Sequence, residues 1–227
     1  MFKHTILVII LTLFIVPNLY GYWYKSPYSL SDGRGDQRFD NAVTQVHEDT
    51  HGVNNKLRMS FGGNCYYLHD YNRFVYFNKT PNNITLAQVA QRCYYKGAIY
   101  NLYMVEQRKY WNDTPLYPFG EWVSYANGSA RQLQPGHGRT NDCSFYYMFE
   151  MGYYSYLAWQ IMPNSWADKE DLGKFWLWHA KRCIKISEAA EAKGVFSAKQ
   201  RNWRHLIKGL VKKHEWVRIY PPKILTK

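Results

Sequence analysis

The pattern of apolar and polar positions divides this chain into a short apolar leader, a mixed middle and a helical C-terminal third. From Thr5 to Val16 the run carries no charge. Between about Asp36 and Arg58, Phe39, Ala42, Val43, Val46 and Val53 recur near one side at helical spacing, which predicts a helix. Gly33, Gly35 and Asp36 supply a loop and an N-cap before it, and Gly62-Gly63 supply a stop. Cys65–Phe77 holds two β-prone runs about a turn at Asp70–Asn72, the pattern of a hairpin. Thr85–Tyr95 reads as a helix capped by Thr85. Pro118 and Gly120 mark a loop entering a short helix whose first turn carries Glu121 and which stops at Asn127-Gly128. Phe145–Gln160 is almost wholly apolar. Asp168–Ala192 and Ser197–His214 alternate apolar and charged residues in the manner of surface helices. The fold class expected is α+β, a small sheet or hairpin beside the main helix with a helical C-terminal part.

The leader changes the picture of where the protein works. Lys3 and His4 precede the apolar run, the run is short for a membrane span, and Leu19-x-Gly21 offers a cleavage site before Tyr22. Residues 1–21 therefore read as a signal peptide, and 22–227 as one secreted or periplasmic domain. Loss of Lys3 takes the formal charge from +12 to +11, so the exported part stays basic. Lys199, Arg201, Arg204, Lys208, Lys212 and Lys213 concentrate that charge in a basic helical region from about residue 165 to the end. Such a face suits an anionic cell-wall or surface polymer, while export argues against nucleic acid as a partner. Cys65, Cys93, Cys143 and Cys183 follow no C-x-x-C spacing, so the export context predicts two disulfides with three possible connectivities, of which the local one, Cys65–Cys93 and Cys143–Cys183, is expected. Sequons begin at Asn78, Asn83, Asn112 and Asn127, and Arg34-Gly-Asp36 is best explained as a turn before the main helix.

Chemistry enters with His47-Glu48-Asp49-Thr50-His51. Histidines at i and i+4 stand one above the other on a helix, so both imidazoles can reach one ion. The glutamate after the first histidine is turned about 100° away, off the ion but able to face a water on it. This H-E-x-x-H motif resembles that of the zincin metallopeptidases, in which the two histidines bind zinc and the glutamate is the general base. The resemblance assigns zinc to His47 and His51 and the base to Glu48. The metzincin continuation is missing, because Asn54 and Leu57 stand where that branch has glycine and a third histidine. What remains is similar to the gluzincin arrangement, whose third ligand is a glutamate from a later helix. Glu121 is the leading candidate. Glu150, alone in an apolar segment, is its rival, and His137, Asp142 and His179 stay open.

Asn54 and Arg58 follow the histidines on about the same face and could orient ligands. His69 lies near the hairpin turn, and the family likeness implies a sheet edge that aligns an extended substrate. The function expected is zinc-dependent hydrolysis of protein or peptide substrates. Two alternatives stand beside it: a metal-dependent amidase acting on cell wall, and a non-catalytic, aromatic-rich wall-binding module, suggested by the 18% aromatic content.

Overall fold

The computed structural model describes residues 23–33, 41–134 and 144–215. It is a mixed α+β fold, mostly helical, with one three-stranded antiparallel sheet. In chain order the elements are β1 (Trp23–Lys25), α1 (Leu30–Gly33), α2 (Ala42–Phe61), β2 (Asn64–Leu68), a 3-10 turn (His69–Tyr71) and β3 (Arg73–Phe77). There follow α3 (Leu86–Gln91), a π-helical segment (Asn101–Glu106), α4 (Arg108–Trp111), α5 (Tyr117–Gln132), α6 (Ser144–Ile161), α7 (Lys169–Ala192) and α8 (Ala198–His214). The leader, and Asp36 as the expected cap, lie outside the described residues. Among the described residues, no helix is long and apolar enough to cross a membrane.

The main helix starts later than the sequence suggests, because Asn41 is its N-cap. The Asn41 Oδ1 accepts from the amides of Val43 at 2.8 Å and Thr44 at 3.1 Å, satisfying two donors that a helix start leaves open. Gly62 closes it in the left-handed conformation, φ 78°, which a glycine adopts without strain. The buried positions of α2 are Val43, Val46, His47, Thr50, Val53, Asn54 and Leu57, with Asp49 beside them. That stripe has the helical period and includes His47 itself.

The hairpin forms as expected, with Asn72 in the left-handed region at its turn (φ 45°), and β1 adds a third strand to give the order β1-β3-β2. Alternation along β2 sends Cys65 and Tyr67 toward α2, where they join Val53, Leu57 and Phe74 in a small cluster. Tyr66 and Leu68 point the other way, into the large core shared by α3, α5, α6 and α7. This alternation also corrects the expected Cys65–Cys93 bridge. Cys93 belongs to the large core, so the two thiols lie in different clusters, and Cys65, Cys93 and Cys183 are all free and buried. Cys143, the other half of the second expected pair, is outside the described residues.

The α5 helix runs through Asn127-Gly128, where the sequence suggested a stop. A Cβ on Gly128 would sit 3.0 Å from the Val43 carbonyl oxygen, so glycine is what allows α5 to approach α2 this closely. Asn127, fully buried, binds across the contact. Its Nδ2 donates to the Tyr67 carbonyl (2.9 Å) and to Thr50 Oγ1 (3.2 Å), and its Oδ1 accepts from Arg182 NH2 (3.0 Å). One side chain thus joins α2, α5, α7 and β2. Its sequon is closed to modification for the same reason.

The two C-terminal helices match the sequence closely, with Ser197 and Gln200 forming a capping box at the start of α8. Part of the basic face is structural. Arg201 and Arg204 pair with Glu191 at 3.3 and 2.6 Å, and Lys208 with Glu188 at 2.9 Å, tying α8 to α7. Lys199, Lys212 and Lys213 stay exposed.

Candidate metal centre

Two helices build the site. On α2, His47 and His51 are one turn apart; on α5, Glu121 lies in the second turn rather than opening a short helix. Pro118 near the start of α5 has the backbone geometry of a first helical turn, where no amide donor is needed. Glu121 reaches α2 with its Oε2 at 3.4 Å from each histidine Nε2, and the two Nε2 atoms are 3.0 Å apart. Among the described residues, these three are the metal-capable side chains that converge, and they could hold a metal ion.

The triangle itself tests the fit. A tetrahedral zinc with N and O ligands at about 2.0–2.1 Å has ligand–ligand edges of about 3.3–3.4 Å. The edges here are 3.0, 3.4 and 3.4 Å. Glu121 Oε2 is also buried without a hydrogen-bond partner, a costly state for a carboxylate oxygen unless a cation sits beside it. The ligand set fits an ion.

Electrostatics agree. Burial works against ionising Glu121, yet His51 and His47 beside it outweigh burial and hold its carboxyl well below the usual range. Burial likewise opposes charge on His51, but Glu121 and then Glu48 push its pKa above the ordinary histidine value. The environment therefore keeps an anionic ligand at the place where a cation would rest.

Glu48 stands off the triangle, as the helical offset requires. Its Oε1 is 4.0 Å from His47 Nε2, and its side chain is 44% exposed against 9% for His47 and 6% for Glu121. Glu48 therefore stands on the solvent side of the triangle.

Several expected residues turn out to do other work. Glu150 is not a ligand: its Oε1 accepts from the Tyr154 hydroxyl at 2.6 Å and the Ile99 amide at 3.1 Å, holding the loop before the π-helical segment. Burial raises its pKa, and those donors oppose the rise. His179 is buried against Trp122, ring centroids 4.5 Å apart, where burial and then Arg182 hold its pKa well below normal. His69 sits in the 3-10 turn, and His137 and Asp142 are outside the described residues. Asn54 does not orient the histidines: its Oδ1 accepts from the Tyr67 amide at 2.7 Å. With Asn127 on the Tyr67 carbonyl, both backbone groups of Tyr67 on β2 are taken by side chains, so an extended substrate cannot pair with the strand at that residue. Burial pushes the Cys65 thiol up to about 12, and Arg58, near the end of α2, opposes that rise as it opposes the rise at His51.

A shelf of tyrosines went unrecognised in the sequence. Tyr117 and Tyr125 flank Glu121 at i−4 and i+4, so they share its face of α5. The Tyr125 ring lies 4.3 Å from that of His47, and its hydroxyl is 2.7 Å from the Tyr103 hydroxyl. Burial first, then Glu121, raise the pKa values of Tyr103 and Tyr117, so both hydroxyls keep their protons. The Tyr-x3-Glu-x3-Tyr spacing was the available signal.

Comparison with protein-family models, with curated proteins and with solved structures returns no match.

Proposed function

We propose that this protein is a zinc-dependent hydrolase, and that its substrates are peptide bonds of exported or cell-surface proteins. The observation that carries this reading is the ligand triangle of His47, His51 and Glu121 with Glu48 beside it on the solvent side. A purely structural zinc site closes all four positions with protein ligands, whereas three ligands and an adjacent carboxylate suit catalysis. The likeness to the gluzincin arrangement, including a small sheet beside the H-E-x-x-H helix, supports the same reading.

Zinc bound by these residues would supply Lewis acidity, making water a nucleophile near neutral pH. Glu48 takes the proton from the attacking water and returns it to the leaving amine. Its exposure keeps it in reach of a substrate entering from solvent. His47 and His51 would hold the ion through Nε2, and Glu121 would hold it through a carboxylate oxygen. With the backbone of Tyr67 on β2 taken by Asn54 and Asn127, the substrate is held by groups around the triangle rather than by pairing at that residue. The exposed Lys199, Lys212 and Lys213 are the groups through which an anionic surface polymer would be met.

The test compares metal content and turnover. Purified protein should carry about one zinc per chain, lost in His51→Ala and in Glu121→Ala. Glu48→Gln should keep the zinc and lose cleavage of a mixed peptide library. Full activity in Glu48→Gln would refute the mechanism, and a wild type that takes up no zinc would refute the site. Release of fragments from purified cell wall, with the peptide library untouched, would replace peptidase with wall amidase.

A further inference from the structure

His47 lacks the contact that usually holds a metal-binding histidine. Such an imidazole as a rule donates its second ring N–H to a carboxylate or carbonyl, which stops the ring from turning about its last side-chain bond. The His47 Nδ1 is buried and has no hydrogen-bond partner among the described residues. Its ring is therefore held by packing. Two rings meet it: His51, with centroids 4.7 Å apart at 70°, and Tyr125, at 4.3 Å and 54°. His51 is the weaker wall, because its own side chain is 26% exposed against 9% for His47.

Tyr125 is fixed from three sides. Its backbone belongs to α5, four residues after Glu121, so one helix delivers both the acid and the ring that faces His47. Its ring meets Tyr147 of α6 edge-on, centroids 5.5 Å apart at 69°. Its hydroxyl lies 2.7 Å from that of Tyr103, a buried residue of the π-helical segment. The wide turn of that segment is closed by the Gln107 amide donating to the Leu102 carbonyl at 2.9 Å. Turns of this kind are rare and gather at functional sites.

We propose that Tyr125, anchored by Tyr103, is a positioning residue whose ring holds the His47 imidazole at the angle that metal binding needs. The inference rests on the metal reading above. Close packing at 4.3 Å opposes rotation of the imidazole, because a turned ring would have to displace the tyrosine. Nε2 then stays aimed into the triangle, 3.4 Å from Glu121 Oε2 and 3.0 Å from His51 Nε2. Without that wall the imidazole gains freedom that an arriving ion must take away again, and affinity falls by that cost. Groups that orient a ligating histidine are typically worth about 10- to 100-fold in metal affinity.

Tyr125→Leu removes the ring face, Tyr125→Phe keeps the face and loses the hydroxyl, and Tyr103→Phe takes the partner hydroxyl away from the tip. Zinc affinity would be measured for each by competition with a chromophoric chelator. Cobalt absorption would report the geometry of the site, and the melting temperature of the metal-free protein would report folding. Tyr125→Leu should bind zinc about 10- to 100-fold more weakly, with altered cobalt bands. Tyr125→Phe and Tyr103→Phe should each lose less, by similar amounts, since each breaks the same hydroxyl pair. If Tyr125→Leu does not fold without metal, Tyr125→Met, which fills the space without a flat face, is measured in its place and read the same way. Unchanged affinity in Tyr125→Leu overturns the proposal and leaves the metal reading standing. A lower melting temperature with unchanged affinity and cobalt bands also overturns it, because the ring would then only pack the fold. A loss in Tyr125→Phe as large as in Tyr125→Leu overturns the role of the ring in favour of the hydroxyl. Full affinity in both phenylalanine variants overturns the anchoring by Tyr103. A wild type that binds neither metal overturns the metal reading and this proposal with it.

Discussion

Replacing Asn127 by alanine should be among the most damaging single changes in the protein. The side chain is fully buried and makes three hydrogen bonds, to the Tyr67 carbonyl, Thr50 and Arg182. Thr50 loses least, because its hydroxyl still donates to the Val46 carbonyl at 2.7 Å. The Arg182 guanidinium keeps its ion pair with Asp70 at 2.7 Å, so the Tyr67 carbonyl is the group left stranded in a buried setting, at about 1–3 kcal/mol. With about 1 kcal/mol more for the lost hydrogen bond to Arg182, the sum is about 2–4 kcal/mol, a sizeable part of the stability of an ordinary domain. For a chain of this length that corresponds to a fall in melting temperature of about 4–16 °C. Urea unfolding followed by circular dichroism, wild type beside Asn127→Ala and Asn127→Asp, measures it. Asn127→Asp keeps an acceptor for Arg182 but faces the Tyr67 carbonyl with a second acceptor, so it should lose at least the Tyr67 share. A loss below about 1 kcal/mol in Asn127→Ala would mean that water replaces the amide freely, and the account of α2, α5, α7 and β2 as joined by this residue would be wrong.

Two further outcomes follow from the site and from its packing. Metal binding should weaken as pH falls: in the metal-free protein the His51 pKa lies above the ordinary histidine value, so protons compete from higher pH than at a free histidine. Affinity should be full above that pKa and drop by about tenfold per pH unit below it if one proton is displaced; a chelator competition series across pH that stays flat would contradict this. Gly52→Ala should unfold or severely destabilise the protein, because a Cβ there would lie 2.0 Å from the Gly33 carbonyl oxygen on α1. Thermal melting checks it, and a melting temperature within a few degrees of wild type would show that α1 is free to move away.

The local signals in the chain were strong where chemistry or capping is local. The spacing of His47 and His51 places both imidazoles on one helical face wherever the helix sits, and Gly62, Thr85 and Ser197 mark helix ends by interactions within a few residues. The hairpin and the amphipathic C-terminal helices were legible for the same reason. Where a residue's role depends on a distant segment, the sequence misled. Asn127-Gly128 looks like a helix stop, but Val43 takes the glycine and Arg182, Thr50 and Tyr67 take the amide. Cys65 and Cys93 look like a pair, but strand alternation turns them into different clusters.

The acid that meets the two histidines shows the division most clearly. By itself the sequence placed two histidines on one helical face; the gluzincin likeness alone called for a later acid, with Glu121 leading, Glu150 its rival and His137, Asp142 and His179 open. Glu121 and Glu150 are both buried carboxylates, so composition and hydropathy could not separate them. The tertiary structure decided by supplying their neighbours: backbone amides and Tyr154 for Glu150, two imidazoles for Glu121. A carboxylate's role is fixed by what faces it across space, and such contacts are set by how α5 packs on α2, not by anything local to the residue.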